Sequence, residues 1–390
     1  MSPFAGMPVN CNNMTMNRIP QINPWLAAEE VDAVTRVLSS GWITEGRECE
    51  AFGAALNEVI GVPYGVFAPN GTLALALALM AVGVEPGDEV LIPDTTFIGS
   101  ATATVMIGAV PVFVDVDPVS YQIDMEDARR CLTSRSRAVM PVHLYGTACD
   151  MDAVLAFAHN HELKVVEDAA QGMGVRYKGR HVGSIGHAGC FSFFADKTIT
   201  TGEGGYVACQ DREIYERLRR LRNQGRPERG SFVHHDVGFN FRITDMQAAI
   251  GRVQLERLPK IAARKNELWE SYRAALADLS AVRLLGPASE ANQVPFRAVL
   301  ICDRSQELMA FLDSNGVQSR GFFYPLHRQP CFADGKTAKG GSDERFPNAV
   351  HGFEHGLCLP IYPGLNDHDV DRIAGLIDAF YNAEPRQQPA

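Results

Sequence analysis

Short apolar runs alternate with stretches of helical periodicity between about residue 28 and residue 255. Several of these runs are apolar at both odd and even positions, which is typical of strands that are covered on both faces. Strands that alternate with helices predict an α/β fold class with a large, mainly parallel sheet. The predicted strands are 88–93, 110–116, 138–145, 164–169, 190–194 and 204–209, and the clearest helices between them are 71–83 and 151–163.

A long helical pattern begins at Thr244 and continues to about Asp278. Gln247 lies three residues after Thr244, which fits a capping box, and Pro259 is expected to kink or break the helix. The pattern predicts a connection into a second, smaller unit. The elements predicted after it are a strand at 294–302, a helix at 306–316 that ends with a glycine, and an amphipathic helix at 367–383.

These elements divide the 390 residues into three expected regions. Residues 1–17 are expected to form a loose tail, residues 18–258 a large α/β domain, and residues 259–390 a small α+β domain. The first residues lack the basic start and apolar centre of a secretion signal. Met14 and Met16 are alternative start positions.

Composition excludes several classes of protein. The formal net charge of -10 argues against a nucleic-acid-binding surface, because contact with phosphates needs a basic face. The nine cysteines contain no CxxC pair, which is typical of reduced cytosolic thiols. No apolar run approaches the roughly 18 residues that a membrane-spanning helix needs. We therefore expect a cytoplasmic protein that binds neither nucleic acid nor membranes.

The segment Asn70-Gly71-Thr72 stands directly before the helix predicted at 71–83. A helix start offers free backbone N–H groups and the positive end of the helix dipole, which together suit a phosphate. Gly71 allows a ligand to approach the backbone closely, and the Thr72 hydroxyl adds a donor. Taken alone, the same residues also fit a simple turn with an N-cap.

Glu167 and Asp168 lie near the end of the predicted strand 164–169, and Gln171 follows it. A carboxylate at the end of a buried strand is well placed to hold the N–H of a protonated pyridine ring, which keeps that ring electron-poor. Helix capping by Asp168 is the alternative interpretation.

Lys197 follows the apolar run 190–194 and precedes a glycine-rich turn. A lysine forms Schiff bases when burial or neighbouring cations lower the pKa of its amine. Ser192, five residues earlier, would add a hydroxyl to a nearby phosphate site. Considered by itself, a lysine in a loop is usually solvated.

Five segments, in order along the chain, carry a resemblance to a known family. They are NGTLALALAL, PVHLYGTACDMD, VEDAAQ, FSFFADKTITTGEGG and VGFNFRITDMQAAIG. Over about residues 18–385 the chain resembles the DegT/DnrJ/EryC1/StrS family of sugar aminotransferases. That family uses pyridoxal 5'-phosphate (PLP) and has the type I, aspartate-aminotransferase-like fold. The resemblance implies an enzyme with this cofactor and fold.

The resemblance also assigns roles to individual residues. Lys197 matches the lysine that carries PLP and acts as acid and base, and Asp168 matches the acid that pairs with the pyridine nitrogen. Asn240 matches a residue that reaches the phosphate from a partner subunit, which implies a homodimer with shared active sites. The other cofactor contacts implied are Gln171 near the ring hydroxyl, Phe97 stacked on the ring, and Gly71, Thr72 and Ser192 around the phosphate.

One segment departs from the family pattern. Members often read SFHPxK, whereas this chain has Phe194-Ala195-Asp196 before Lys197. Because the lysine is kept, we expect the change to affect local packing only. Related sugar dehydratases carry a histidine in place of this lysine, so Lys197 favours amino transfer over dehydration.

The resemblance implies L-glutamate as the amino donor and a nucleotide-linked keto sugar as the acceptor. The wording of the motifs is most similar to members that aminate GDP-4-keto-6-deoxymannose. Other keto sugars, namely a dTDP- or UDP-linked hexose or an 8-keto octulosonate, remain open, as does a non-catalytic regulatory protein with this fold. The residues expected to contact the sugar nucleotide are Trp42, Arg320, Tyr324 and His327, with Arg320 on the diphosphate and His327 on a sugar hydroxyl.

A zinc-hydrolase pattern, HxxEH, spans His351 to His355. That chemistry needs a helical setting and a further ligand. Gly352 and Gly356 interrupt the stretch, so we expect a loop or a structural role here and no metal site.

Overall fold

The computed structural model describes residues 18–227, 230, 232–287, 291–333 and 335–382. The predicted tail at 1–17 lies outside the described residues. The helices are, in chain order, α1 (Ala28–Ser40), α2 (Arg47–Ile60), α3 (Gly71–Ala81), α4 (Gly99–Met106), α5 (Met125–Arg130), α6 (Met151–Asn160), α7 (Arg212–Arg222), α8 (Asp245–Ala275), α9 (Ser305–Ser314), α10 (Pro347–His355) and α11 (Asp367–Asn382). The strands are β1 (Tyr64–Ala68), β2 (Glu89–Pro93), β3 (Val110–Val114), β4 (Ser136–Val139), β5 (Lys164–Asp168), β6 (Arg176–Tyr177), β7 (Arg180–His181), β8 (Ala188–Ser192), β9 (Gly205–Cys209), β10 (Val282–Leu284), β11 (Ala298–Cys302), β12 (Arg320–Gly321) and β13 (Gly356–Leu359).

The large sheet has the strand order β1-β9-β8-β5-β4-β2-β3. Strand β9 runs antiparallel to β1 and β8, and the other neighbouring pairs are parallel. The expected mainly parallel sheet is confirmed. Because β1, β5 and β8 run in the same direction, their carboxyl ends at Ala68, Asp168 and Ser192 meet at one edge of the sheet. This is the edge at which open α/β sheets bind ligands.

Both faces of the large sheet are covered, as the continuous apolar strands predict. Val90 of β2 belongs to an apolar cluster with Leu77 of α3, on one face. Its neighbour Leu91 belongs to a second cluster with Phe52 of α2 and Phe157 of α6, on the opposite face. Successive side chains of a strand point to opposite faces, so each strand contributes to both clusters.

A second sheet, with the order β10-β11-β13-β12, is antiparallel throughout. Leu300 of β11 packs with Leu268 of α8 and Ile373 of α11 on one face. Val299 and Ile301 belong instead to the cluster of the large sheet. The second sheet is therefore packed directly against the first, which brings the residues before β11 to the carboxyl edge.

Helix α8 runs from the large sheet to the second one. Thr244 and Gln247 form the expected capping box, in which the Gln247 N–H donates to Thr244 Oγ1 and the Thr244 N–H donates to Gln247 Oε1. The helix continues through Pro259 without a break. The predicted division between 258 and 259 falls inside this helix and remains a prediction. Within the described part of the chain, no helix is both long and apolar enough to cross a bilayer.

Of the two expectations for 351–355, a loop or a structural role, the loop is wrong, because these residues form the second half of α10. Gly352 lies inside this helix at a place where a side chain would not fit. A Cβ there would lie 2.9 Å from ring atoms of both Phe322 and Tyr121. His351 Nδ1 is hydrogen-bonded to the Tyr121 hydroxyl, and its ring stacks on His355. Among the described residues, no three His, Cys, Asp or Glu side chains are grouped as metal ligands.

Two helical glycines provide a matched test of this packing. We expect Gly352→Ala to destabilise the protein by about 1–3 kcal/mol, because the added methyl meets buried rings on both sides. Gly375→Ala in α11 has open space around it and should stabilise by up to about 1 kcal/mol through helix propensity. Urea unfolding of both variants measures the two effects. If Gly352→Ala stabilised the protein as much as Gly375→Ala does, Gly352 would not be packed as described.

Candidate active site

A cavity of about 650 Å³ opens at the carboxyl edge of the large sheet. Its walls come from the start of α3, the ends of β5 and β8, the loop after β8, and residues next to β11 and β12. The residues predicted from sequence that line it are Gly71, Thr72, Phe97, Asp168, Gln171, Ser192, Lys197 and Arg320.

The start of α3 faces this cavity directly after β1. Asn70 caps the helix, since its Oδ1 accepts from the Leu73 N–H at 2.9 Å. A Cβ on Gly71 would lie 2.8 Å from the Ser192 Cβ and 3.2 Å from its Oγ. Glycine thus lets the end of β8 approach the helix start, so the Ser192 hydroxyl lies beside the N-terminal turn that begins with Gly71 and Thr72. A helix start with hydroxyls beside it is suited to an anion such as a phosphate.

Asp168 ends β5 at the floor of the cavity and is buried. Its Oδ2 accepts from the Ser100 hydroxyl at 2.8 Å, and its Oδ1 accepts from the Ala170 N–H at 3.1 Å. Burial raises the pKa of this carboxyl and outweighs the opposing effects of these hydrogen bonds and of Lys197. A buried carboxylate of this kind is stabilised by any cation that enters the cavity.

Glu167, one residue before Asp168, points to the opposite face and is fully buried. Its two oxygens accept from the N–H groups of Gly183, Ile185 and Gly186 at 2.6–2.7 Å. Its Oε2 also lies 2.9 Å from His143 Nε2. Burial alone would raise the pKa of Glu167, but His143 and the backbone N–H groups outweigh burial and lower it. The hydrogen bonds of Glu167 to His143 and to the backbone therefore fix the end of β5, where Asp168 lies.

Gln171 is held at the cavity wall by a residue to which the sequence analysis assigned no role. The Tyr145 N–H donates to Gln171 Oε1 at 2.7 Å, and the Tyr145 hydroxyl accepts from the Phe323 N–H at 3.2 Å. Tyr145 has a φ of 56°, an uncommon conformation for a bulky residue. Its place in the motif PVHLYGTACDMD is the one signal that pointed to it.

Lys197 lies in the loop between β8 and β9, which folds back on itself through hydrogen bonds from the Phe193 N–H to Gly204 and from the Thr201 N–H to Phe193. Its Nζ is 3.6 Å from Asp196 Oδ1 and 4.6 Å from the centroid of the Phe296 ring. Burial lowers the pKa of the amine, although Asp196 and Asp168 oppose that change.

Asp196 has a second partner that is distant in sequence and that no motif indicates. Arg297, just before β11, donates from Nη2 to Asp196 Oδ2 at 2.7 Å. The Arg297 side chain is 6% exposed. Position 196 is the variable position of the SFHPxK pattern, and in this chain it places a carboxylate in an ion pair with a buried arginine. The expected effect of Phe194 and Ala195 on local packing remains a prediction.

Four predicted contacts, Asn240, Trp42, Tyr324 and His327, lie outside the cavity. Asn240 is exposed and forms a β-bridge with Asn223, in the segment before α8. Trp42 is exposed and donates from Nε1 to the Glu45 carbonyl. Tyr324 is also exposed, and its ring packs edge-on against Phe353.

The predicted sugar contact of His327 is contradicted by its surroundings. Its side chain is 2% exposed, and its Nδ1 and Nε2 lie 2.6 Å from Asp94 Oδ2 and 3.0 Å from Asp343 Oδ1. The ring also stacks on Phe346. His327 connects the segment after β12 to Asp94 at the end of β2. Because both of its nitrogens already have partners, neither is left for a sugar hydroxyl.

The comparison with protein families agrees with this arrangement. The model of the DegT/DnrJ/EryC1/StrS aminotransferase family matches residues 24–378. The chain belongs to this family. GDP-perosamine synthase of Caulobacter vibrioides is 37% identical to this aminotransferase over 374 residues, which cover 93% of this chain and 99% of the synthase. The predicted family and aminotransferase class are confirmed.

Solved structures place the aminotransferase in the expected fold class. DesV of S. venezuelae, determined in complex with a ketimine intermediate, superposes with a TM-score of 0.87 at 34% identity and covers 94% of this chain and 100% of its own. A putative sugar aminotransferase, Spr1654 of Streptococcus pneumoniae, determined in its PLP form, gives a TM-score of 0.86 at 26% identity, with 92% and 97% coverage. The type I fold expected from sequence is confirmed.

The hydrogen bonds of Glu167 predict a pH-dependent contribution to stability. The folded state lowers the pKa of Glu167, so its contribution is present above the unfolded pKa of about 4.3 and is lost as the pH falls below it. We expect Glu167→Gln to cost about 2–3 kcal/mol at pH 7, because charge-assisted hydrogen bonds are lost. Below pH 4 the difference from the unmodified protein should narrow.

Urea unfolding at a series of pH values measures this difference. Glu126→Gln, which alters an exposed carboxylate paired with Arg129, is the control and should change stability by less than about 0.5 kcal/mol at every pH. A cost for Glu167→Gln that does not change with pH would contradict the stated role of its charge.

Proposed function

We propose that this protein is a PLP-dependent aminotransferase that moves an amino group from L-glutamate to a nucleotide-linked keto sugar. The observation that carries the proposal is that Lys197, Asp168 and the start of α3 face one cavity. A mostly covered lysine, a buried carboxylate and a helix start are three different groups, and PLP has a matching part for each of them.

The residues fit the cofactor part by part. The N–H groups at the start of α3, with the hydroxyls of Thr72 and Ser192, suit a phosphate. Asp168 is a buried carboxyl with a raised pKa, which a protonated ring nitrogen would offset. Phe97 lies exposed at the cavity wall, where an aromatic ring has room to stack on it. Gln171 also lines the cavity, where its side chain would hold the ring hydroxyl.

PLP, when bound, draws electrons from the substrate carbon next to the amino group, so that this carbon releases its proton more readily. Lys197 Nζ accepts that proton in its neutral form and returns it in its charged form, as a positioned general acid and base. Because burial lowers the pKa of this amine, more of the neutral form is present near pH 7 than in an exposed lysine. Asp168 would hold the ring nitrogen of the cofactor in its protonated form.

GDP-4-keto-6-deoxymannose is the first candidate for the acceptor, because GDP-perosamine synthases are among the similar relatives. Arg320 lines the cavity with a half-exposed guanidinium, which suits a diphosphate at the entrance. A dTDP- or UDP-linked hexose, or an 8-keto octulosonate, is the alternative acceptor. A non-catalytic regulatory protein is disfavoured, since Lys197 and Asp168 are both present and face the same cavity.

A homodimer with shared active sites is the second part of the proposal. Asn240 lies in a segment whose apolar side chains are unusually exposed: Phe232 is 87% exposed and Val237 is 88% exposed. Exposed apolar side chains grouped in one segment mark a surface that binds another protein. A second copy that covers this segment would bring Asn240 toward the phosphate end of the first copy's cavity.

Absorbance spectra test the cofactor and the reaction together. The protein mixed with PLP should show a band near the edge of the visible range, and L-glutamate should bleach it. Lys197→Ala should still bind PLP but lose turnover by on the order of 10³-fold, because the acid and base is missing. Lys164→Ala, which changes an exposed lysine, should keep both the band and the activity. A protein that stays colourless after PLP is added would sink the proposal.

The shared site is tested by mixing inactive subunits. We expect Lys197→Ala and Asn240→Asp each to be inactive alone. After unfolding and refolding together they should regain roughly a quarter of the activity, since half of randomly paired dimers would carry one intact site. If mixing restores nothing, Asn240 does not act across an interface.

The acceptor is identified by single-turnover amination of a panel of keto sugars. We expect GDP-4-keto-6-deoxymannose to react fastest, and Arg320→Met to raise its KM by about tenfold or more through loss of a charge-assisted contact. The octulosonate carries no nucleotide diphosphate, so its KM should change less. A faster reaction with another sugar would refute the specific acceptor and leave the aminotransferase class unchanged.

A further inference from the structure

The loop that carries Lys197 is tied to the second sheet by a buried ion pair. Asp196 Oδ2 accepts from Arg297 Nη2 at 2.7 Å, across 101 residues of sequence. The two side chains are 17% and 6% exposed. Because Arg297 is buried and Asp196 is mostly covered, water competes only weakly for the two charges, which favours one geometry of the pair.

The other oxygen of the same carboxylate faces the amine. Asp196 Oδ1 lies 3.6 Å from Lys197 Nζ and is buried without a hydrogen bond of its own. Asp196 thus divides its two oxygens between Arg297 and Lys197. This distance is slightly too long for a hydrogen bond but lies within the range of an ion pair. A small movement of the amine would therefore form the hydrogen bond.

Several charged groups surround Lys197 besides this pair. Lys197 Nζ and the Arg297 guanidinium lie 4.6 Å and 4.2 Å from the centroid of the same Phe296 ring, and Lys265 Nζ lies 5.9 Å from it. Arg320 is 3.9 Å from Asp196 Oδ2. Three cations therefore lie near Phe296 or Asp196, and Asp196 is the acid among them. The other acid that acts on Lys197 is Asp168, on the floor of the cavity.

We propose that Asp196 and Arg297 are positioning residues for Lys197: Asp196 anchors the amine while it carries a proton, and Arg297 fixes Asp196 and limits how firmly that proton is held. This inference rests on the proposed function, in which Lys197 Nζ takes a proton from a substrate carbon and gives it back. An amine that both accepts and releases a proton needs a carboxylate that stabilises its charged form. It also needs a nearby cation that weakens this stabilisation enough for the proton to leave.

The two residues act on the amine in opposite directions. Burial lowers the pKa of Lys197, Asp196 and Asp168 raise it, and Arg297 lowers it. Removal of the Asp196 charge should therefore lower this pKa further, and it also leaves Arg297 uncompensated nearby. Removal of the Arg297 charge should raise the pKa, because Asp196 is then free to bind the amine alone.

The test uses Asp196→Asn, Arg297→Met and the double variant, each of similar size to the residue it replaces. In the full-length protein without cofactor, labelling of Lys197 by an amine-reactive reagent is followed by peptide mass spectrometry as a function of pH, with exposed Lys164 as internal reference. We expect Asp196→Asn to shift the midpoint down by about one pH unit, which makes labelling near neutral pH roughly tenfold faster. Arg297→Met should shift it up, and the double variant should return toward the unmodified protein.

In the PLP-loaded protein, the pH dependence of the visible band should shift in the same order. Asp152→Asn, which alters an exposed acid paired with Lys178, is the control and should shift neither readout. Equal midpoints for all variants, or shifts of the same sign for both single variants, would show that the pair only ties the loop to the sheet.

The two arms separate this inference from the proposed function. If no variant, nor the unmodified protein, binds PLP, the proposed function fails, while the labelling midpoints still decide the role of Asp196 and Arg297. If PLP binds and bleaches with glutamate but the midpoints do not diverge, the function stands and the positioning role is overturned.

Discussion

Burial of charge at one edge of the large sheet is the constraint on which the rest of the site depends. An ion at that edge loses hydration worth several kcal/mol, so each charged group must find partners within the protein. Glu167 is fully satisfied by backbone N–H groups and His143. Asp168 is satisfied only in part, by Ser100 and one backbone N–H. The less satisfied carboxyl is the one that faces the cavity, so the sheet edge offers a ligand a charge that still needs a partner.

Two residues that precede strand β11 of the second sheet complete the surroundings of Lys197. Phe296 and Arg297 precede β11, and they reach the cavity because Val299 and Ile301 pack against the core of the large sheet. The ring of Phe296 gives the amine of Lys197 an apolar wall that excludes water while its face attracts a cation. The environment of the amine is therefore set by packing between the two sheets as well as by the loop after β8.

The features that sequence could predict are those set by neighbouring residues. Asn70 precedes a helix, Asp168 ends a strand and Lys197 follows one, so the hydrophobic pattern alone places all three at one sheet edge. Pairings between distant residues leave no local pattern. His327 illustrates this, because its partner Asp94 lies 233 residues away, and only the folded chain shows that its ring is already occupied. Short strand β1 was also missed, since Gly65 weakens its pattern.

The residue at position 196, which the family motif leaves variable, has to be judged with its surroundings. A carboxylate beside Lys197 without a cation to offset it would hold the amine in its charged form. A buried guanidinium at Arg297 without that carboxylate would drive the proton off and would itself lack a partner. Either residue alone moves the amine away from the range in which it both accepts and releases a proton near neutral pH. In the proposed role Asp196 and Arg297 act as a pair, so we expect the effect of a change at one to be offset by a matching change at the other.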